Sequence, residues 1–306
     1  MLDGYIDEAP RPTLFIDWDE KKFEGLKARK RAKAAPSKGV KQVPLKAKNT
    51  NYIPSVMILA FVGIFCRTGI IADGGDGAKL GFYRAQRARV AKTSRREKRF
   101  KETGEGPEWS YRKGDTVLRD CTIRASDSGT SSDPHYDLLS FFLNVFFPFL
   151  LSIVGPDATK YGGKYRGWRV IMQGDNASCH TEAKFLQQIQ EFCARYGWHF
   201  LFQAAHAPHL NVCDLCLFPS LSKGTDRKRA DKFGRRCISG DDLAAAAQSA
   251  FEAYPSSSVA ASFVTKLAVA RKVIQERGRT EFLAKTSRHF GTQRKYQKTE
   301  HGVRKR

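Results

Sequence analysis

No hydrophobic run in this 306-residue chain is long enough to cross a bilayer. The strongest candidate, LLSFFLNVFFPFLLSIV at 138–154, has 17 residues and carries Ser140, Asn144, Pro148 and Ser152 inside it. A spanning helix needs roughly 20. The segment reads instead as a buried helix, kinked or broken near Pro148. Cysteine is sparse and irregular. The seven are an odd number with no framework spacing, so free thiols and a reducing compartment are expected. The opening MLDGYIDEAPRPTLF is acidic and proline-bearing, unlike a secretory leader. A phosphate-binding loop is also missing. Residues 69–75, GIIADGG, lack the Lys-Ser/Thr ending, and no GxGxxG stands between a strand and a helix. No small-molecule cofactor and no membrane partner are expected.

Acidic residues are scarce as well. There are 31 Asp and Glu against 53 Lys and Arg, for a net charge of +22. Such an excess favours a polyanionic partner, nucleic acid first; a membrane surface or plain solubility is the blander account. With hydrophobic content at 41%, the chain can bury one large or two modest cores.

Residues 13–19, TLFIDWD, read as a strand, and 52–65 as one long buried strand or a hairpin. Gly-rich 69–81 reads as a turn region, 84–101 as basic and helix-compatible, and 102–134 as a polar insertion or loop. After the apolar helix and a linker at 155–167 comes a strand at 169–174. A helix follows, capped by Thr181 and stopped at Gly197. The next strand is 199–205. Asn211 can cap a short helix that Pro219 bends or ends. Beyond a basic linker at 227–236, Ser239 opens a helix through Tyr254, and another spans roughly 258–277. The tail 285–306 is basic, poor in apolar residues and expected to be disordered.

Three acids fall on these elements. Asp19 closes the first strand, with Asp17 as a rival on the same face. Asp175 ends the strand at 169–174, and Asp214 lies at the start of the helix after the next strand. Each has a plain structural reading: an Asx turn for Asp175, a helix-dipole partner for Asp214. Together they offer the hard oxygen ligands that a pair of Mg²⁺ or Mn²⁺ ions about 3.5–4 Å apart requires for phosphoryl transfer.

The segments QGDNASCHT (173–181) and GWHFLFQAAHAPHLNVCDLCLFPSL (197–221) resemble the catalytic core of mariner-like transposases of the DDE/D superfamily, nearest the plant and protist branch with three Asp. WDEKKF (18–23) resembles that family's first-acid motif and selects Asp19 over Asp17. DDLAAAAQSAFEAYP (241–255) resembles its C-terminal helix. The resemblance covers about residues 13–278, with gaps. It departs at Lys22, Gly174 and His209, and it does not extend to the family's helix-turn-helix region. It implies an α/β fold with an RNase H-like mixed sheet flanked by helices and a C-terminal helical extension. The boundaries expected are 1–223 for the catalytic domain, 224–284 for the extension and 285–306 for the tail. It further implies metal-dependent cleavage and strand transfer on DNA, at transposon ends and target, in the nucleus. Asp19, Asp175 and Asp214 would be the metal ligands, and a homodimer is an open option.

Phosphate contacts are expected from the basic runs, with Lys27, Arg29, Lys30, Arg31, Arg95, Arg96, Arg227, Lys228 and Arg229 as candidates. His180 is read either as a DNA contact or as a contact to the metal ligands. Two other readings stand beside the enzyme. One is a DNA-binding remnant without turnover. The other is a zinc-binding interaction module built on His206, His209, Cys213 and Cys216, an HxxHxxxCxxC spacing.

Overall fold

The computed structural model describes residues 11–25, 54–96, 109–124, 135–177, 180–204, 207–233 and 239–278. Lys27, Arg29, Lys30, Arg31, Cys179, His206 and the tail 285–306 lie outside the described residues. Strands β1 (Thr13–Glu24), β2 (Ser55–Cys66) and β3 (Asp76–Arg84) are followed by short strands. These are β4 (Gln86–Val90), β5 (Arg95–Arg96), β6 (Trp109–Tyr111), β7 (Thr116–Asp120), β8 (Thr122–Arg124) and β9 (His135–Asp137). Helix α1 (Leu138–Phe141) continues through a π-helical turn (Phe142–Phe146) into α2 (Phe147–Val154). Then come β10 (Arg169–Gly174), α3 (Ala183–Arg195) and β11 (His199–Phe202). A second π-helical turn (Cys213–Leu217) leads into α4 (Phe218–Phe233), and α5 (Gly240–Glu252) and α6 (Ser256–Gln275) close the described chain.

Five strands form one mixed sheet in the order β11-β10-β1-β2-β3. β1 pairs antiparallel with β2 along its whole length, and parallel with β10 from Thr13↔Arg169 to Asp17↔Gln173. β2–β3 is antiparallel and β10–β11 parallel. Helices cover both faces. The chain thus has the RNase H-like α/β fold.

β2 reads as an unbroken apolar run because it is buried on both sides. Leu59, Phe61 and Phe65 join one core with α1, α2 and α3. Val56, Ile58, Ala60, Val62 and Ile64 join the other, under α4, α5 and α6. The first core is dense in aromatics: Phe61 lies within 6.0 Å, ring centre to ring centre, of Trp18, Tyr83, Phe141, Phe142 and Phe146. That packing is what consumes the apolar segment at 138–154. Among the described residues, no helix is long and apolar enough to cross a membrane.

Pro148 and Pro219 occupy equivalent places, each the second residue after a π-helical turn. Proline lacks the N–H and crowds the carbonyl four residues back, and the wider π turn gives that ring room. At Pro148 the helix is not broken but passes through this turn into α2. At Pro219 the helix neither ends nor stays short but runs on to Phe233, so residues 227–233 belong to α4 and not to a linker. Two other expectations change. The basic stretch 84–101 holds β4 and β5, not a helix, and the insertion at 102–134 contributes β6, β7 and β8. These build two-stranded ribbons, β4 with β7, β5 with β6 and β8 with β9. The turn region at 69–81 stops at Gly75, where β3 begins.

Candidate active site

Alternation along β1 divides its side chains between two jobs. Leu14, Ile16 and Trp18 enter the aromatic core. Asp17 and Asp19 point to the other face, and both are buried, at 1% and 5% exposure. The two acids are then separated by their partners. Asp17 is bound by Lys266 of α6, whose Nζ lies 2.8 and 2.9 Å from its two carboxylate oxygens. It also accepts the Val212 N–H at 2.7 Å. Asp17 is therefore committed to the fold, and Asp19 is the acid left for chemistry.

The turn before the second π segment is fastened to β1 by backbone and side chain together. The buried Asn211 donates from Nδ2 to the Trp18 carbonyl at 3.0 Å and accepts the Cys213 N–H at 2.9 Å. Its capping role is as the sequence suggests. What the sequence conceals is that the same side chain ties this turn to a strand nearly two hundred residues away. The result puts Asp214 beside Asp19, close enough for each carboxyl group to shift the titration of the other.

Asp175 arrives from the neighbouring parallel strand. A Cβ on Gly174 would sit 2.6 Å from the Trp18 ring; the indole occupies the space a side chain would need, which accounts for glycine here. Past the strand end, Asn176 donates to the Gln203 carbonyl at 2.5 Å, holding the loop against β11. The Asp175 carboxylate accepts the Ala177 N–H and bonds to Nδ1 of His180. The other ring nitrogen of His180 is 3.1 Å from Glu20, and the ring packs on Trp18 at 4.6 Å. His180 is fully buried. Burial takes it away from DNA contact and leaves the other reading, a side chain that holds a carboxylate of the site, Asp175, with Glu20 on its far side.

The acids feel one another. Burial pushes Asp19 up to about 9, helped by the charges of Asp214, Glu20 and Asp175 and opposed by the Glu20 N–H. Burial also raises Asp214. Lys21 and the hydrogen bond with Asp19 pull it back, and Asp175 and Glu20 add to the rise. Burial alone would raise Asp175, yet the hydrogen bond and charge of His180 with the Ala177 N–H outweigh it and hold the carboxyl below its usual range. One end of the sheet thus gathers a protonated Asp19, an Asp214 raised above its ordinary range, and an ionised Asp175. Among the described residues, no group of three or more His, Cys, Asp or Glu is arranged as a ready metal cage. The engagement of Asp175 by His180 is consistent with that.

Arg95 is exposed on β5 and Arg227 exposed on α4, with Lys228 half-buried beside it. Arg96 and Arg229 are placed on β5 and α4 by their backbone. At 1.5 Å per residue, Arg227 stands ~20 Å along the helix from Asp214. Of the zinc spacing, His206 lies outside the described residues. Cys213 is fully buried with its thiol toward the carbonyls of Asp17 and Ala60, and burial pushes that thiol far above its ordinary range. Sequence reasoning missed Glu20, Gln173 and Lys266. Glu20 was visible as the neighbour of Asp19 in the first motif, whereas Lys266 gave no local signal.

Fold and acid cluster together define an RNase H-like domain of the kind that carries carboxylates at one end of a mixed sheet. More particularly, the chain shares the mariner-transposase fold. It aligns with a pre-cleavage Mos1 transpososome at 13% identity and TM-score 0.51, over 91% of this chain and 59% of that one. It aligns with the Mos1 mariner paired end complex with Mn at 13% identity and TM-score 0.50, over 87% and 56%. The chain thus spans less than two thirds of the proteins it resembles in fold. No family model and no curated protein matches its sequence.

Proposed function

We propose that this chain is the catalytic domain of a mariner-like DDE/D transposase, an endonuclease that cuts DNA phosphodiesters and joins the freed 3′ end to a target. The observation that carries this reading is the convergence of Asp19, Asp214 and Asp175 at one end of the sheet of a mariner-type fold, near enough that Asp175 raises both of the others. The set offers only hard oxygen donors, which suits Mg²⁺ or Mn²⁺. The rise of Asp19 to about 9 records a surplus of buried negative charge that a cation would relieve. Asp19, Asp175 and Asp214 would hold two such ions, which when bound polarise the phosphoryl group and stabilise the attacking and leaving oxygens.

The chain's own groups do the rest. Asp19, raised to about 9, must give up its proton before it can act as a ligand beside Asp214. His180 fixes the orientation of Asp175 and keeps its carboxylate ionised. Exposed cations such as Arg95 and Arg227, within a net charge of +22, attract the phosphate backbone of transposon ends and target. The same basic runs suit a nuclear location, and a homodimer would supply two such sites.

Nicking of supercoiled plasmid in Mg²⁺ or Mn²⁺ tests the reading. Wild type is expected to nick. Asp175→Asn is expected to bind DNA with unchanged salt dependence yet lose nicking. Equal activity in both proteins, or none in the wild type, would assign the chain to the second reading, a DNA-binding remnant without turnover.

A further inference from the structure

The acids of the sheet stand in two tiers. Asp17 and Gln173 are register partners across β1 and β10. Asp19 and Asp175 each lie two residues further along, where side chains return to the same face. Lys266 closes the first tier. Its Nζ reaches both oxygens of Asp17 and, at 3.0 Å, Oε1 of Gln173. Both partners then grip the turn that carries Asp214. Asp17 accepts the Val212 N–H at 2.7 Å, and Gln173 donates to the Leu210 carbonyl at 2.7 Å.

We infer that Lys266, from the C-terminal helix α6, is a positioning residue for the acid site: by neutralising Asp17 and orienting Gln173 it fixes the 210–214 turn and sets Asp214 against Asp19. Asp17 is 2% exposed at its side chain and Lys266 16%. Without the ammonium group, a buried carboxylate would face solvent-poor surroundings two residues from Asp19, and its bond to the Val212 amide would no longer be held in line. This inference deepens the proposed function and rests on it for its consequence in catalysis. The positioning itself is a property of the fold.

The variants Lys266→Met and Asp17→Asn/Lys266→Met separate the two. In the double variant both charges are gone, while an asparagine oxygen can still accept the Val212 N–H. Hydrogen exchange at the Val212 and Cys213 amides reads the turn, Mn²⁺ titration followed by the spin resonance of free Mn²⁺ reads the acid site, and plasmid nicking reads turnover. Lys266→Met is expected to lose amide protection and to weaken Mn²⁺ binding roughly tenfold or more, the scale on which residues that orient metal ligands act. The double variant is expected to recover both. A Lys266→Met protein that melts lower yet keeps its amide protection and Mn²⁺ affinity would overturn the assignment, as would a folded double variant that loses them. Should Lys266→Met fail to fold, the double variant decides alone. A wild type that neither binds Mn²⁺ nor nicks would sink the functional reading, while the exchange comparison would still decide whether Lys266 holds the turn.

Discussion

Asp19 and Asp175 are both carboxylates at one site that burial would raise alike, yet their partners send them in opposite directions. That contrast has a thermodynamic consequence. Asp19 titrates at about 9 in the folded chain against an ordinary value of 3.8. Between those limits the unfolded chain gives up a proton that the folded chain retains, so rising pH favours unfolding. Asp175 has a folded value below its ordinary one; its ionised form stabilises the fold above the usual carboxylate range, and this contribution is lost as pH falls through the folded value. Asp19→Asn should therefore stabilise the metal-free protein, with a gain that grows from about pH 5 to about pH 8. Asp175→Asn should destabilise it at neutral pH, with a loss that fades toward acid. Denaturant melts in the presence of a chelator check both signs. A loss of stability in Asp19→Asn at about pH 8 would mean that the acid is not held protonated by its neighbours. A divalent cation favours the ionised forms, so added Mn²⁺ should reverse the order of wild type and Asp19→Asn.

At the scale of elements, the site depends on two junctions, the end of β10 and the turn before the second π segment. The latter is held by Asn211. Asn211→Ala removes its bonds to the Trp18 carbonyl and the Cys213 N–H and leaves both groups buried. Leaving a buried polar group unpaired costs about 1–3 kcal/mol, which urea melts will resolve, and a loosened Asp214 should weaken Mn²⁺ binding in parallel. Retained stability and unchanged Mn²⁺ affinity would remove Asn211 from the site. Elements of this kind were legible where a local rule acts. The strand that stops just before Asp175, the Asn211 cap and the helix opened by Ser239 with its reciprocal bond to Asp242 all follow from nearest neighbours in sequence, whereas the first strand does not close at Asp19 but runs on to Glu24. What was not legible depends on distant pairing. The arginine-rich stretch at 84–101 carries no alternation that marks a strand. It becomes β4 and β5 only because Thr116–Asp120 and Trp109–Tyr111 supply ladder partners. The burial of His180 and the role of Lys266 depend on contacts across the sheet, which no spacing in the chain records.

For the whole molecule, the question is whether residues after the second π segment form an extension or half of the core. The domain boundary expected near 223 makes them an extension. In the fold, one face of β2, with Val56, Ile58, Ala60, Val62 and Ile64, shares its core with Leu243, Phe251, Val259 and Phe263 of α5 and α6. Full burial of such side chains contributes about 1.5–3 kcal/mol each. With Val269, also buried, their sum matches or exceeds the whole stability of an ordinary domain, about 5–15 kcal/mol. Removing them would also take away Lys266 and leave Asp17 buried without its counterion, which by itself is strongly destabilising. A chain ending at residue 238 is therefore expected to be insoluble or to lack a cooperative melt, whatever its DNA affinity. Recovery of that fragment as a soluble, cooperatively melting protein would restore the two-unit division and detach the C-terminal helices from the acid site. Failure to fold would mean that the helix supplying Lys266 and the strands supplying Asp19 and Asp175 form one cooperative unit, so that the site cannot be assembled from its three motifs alone.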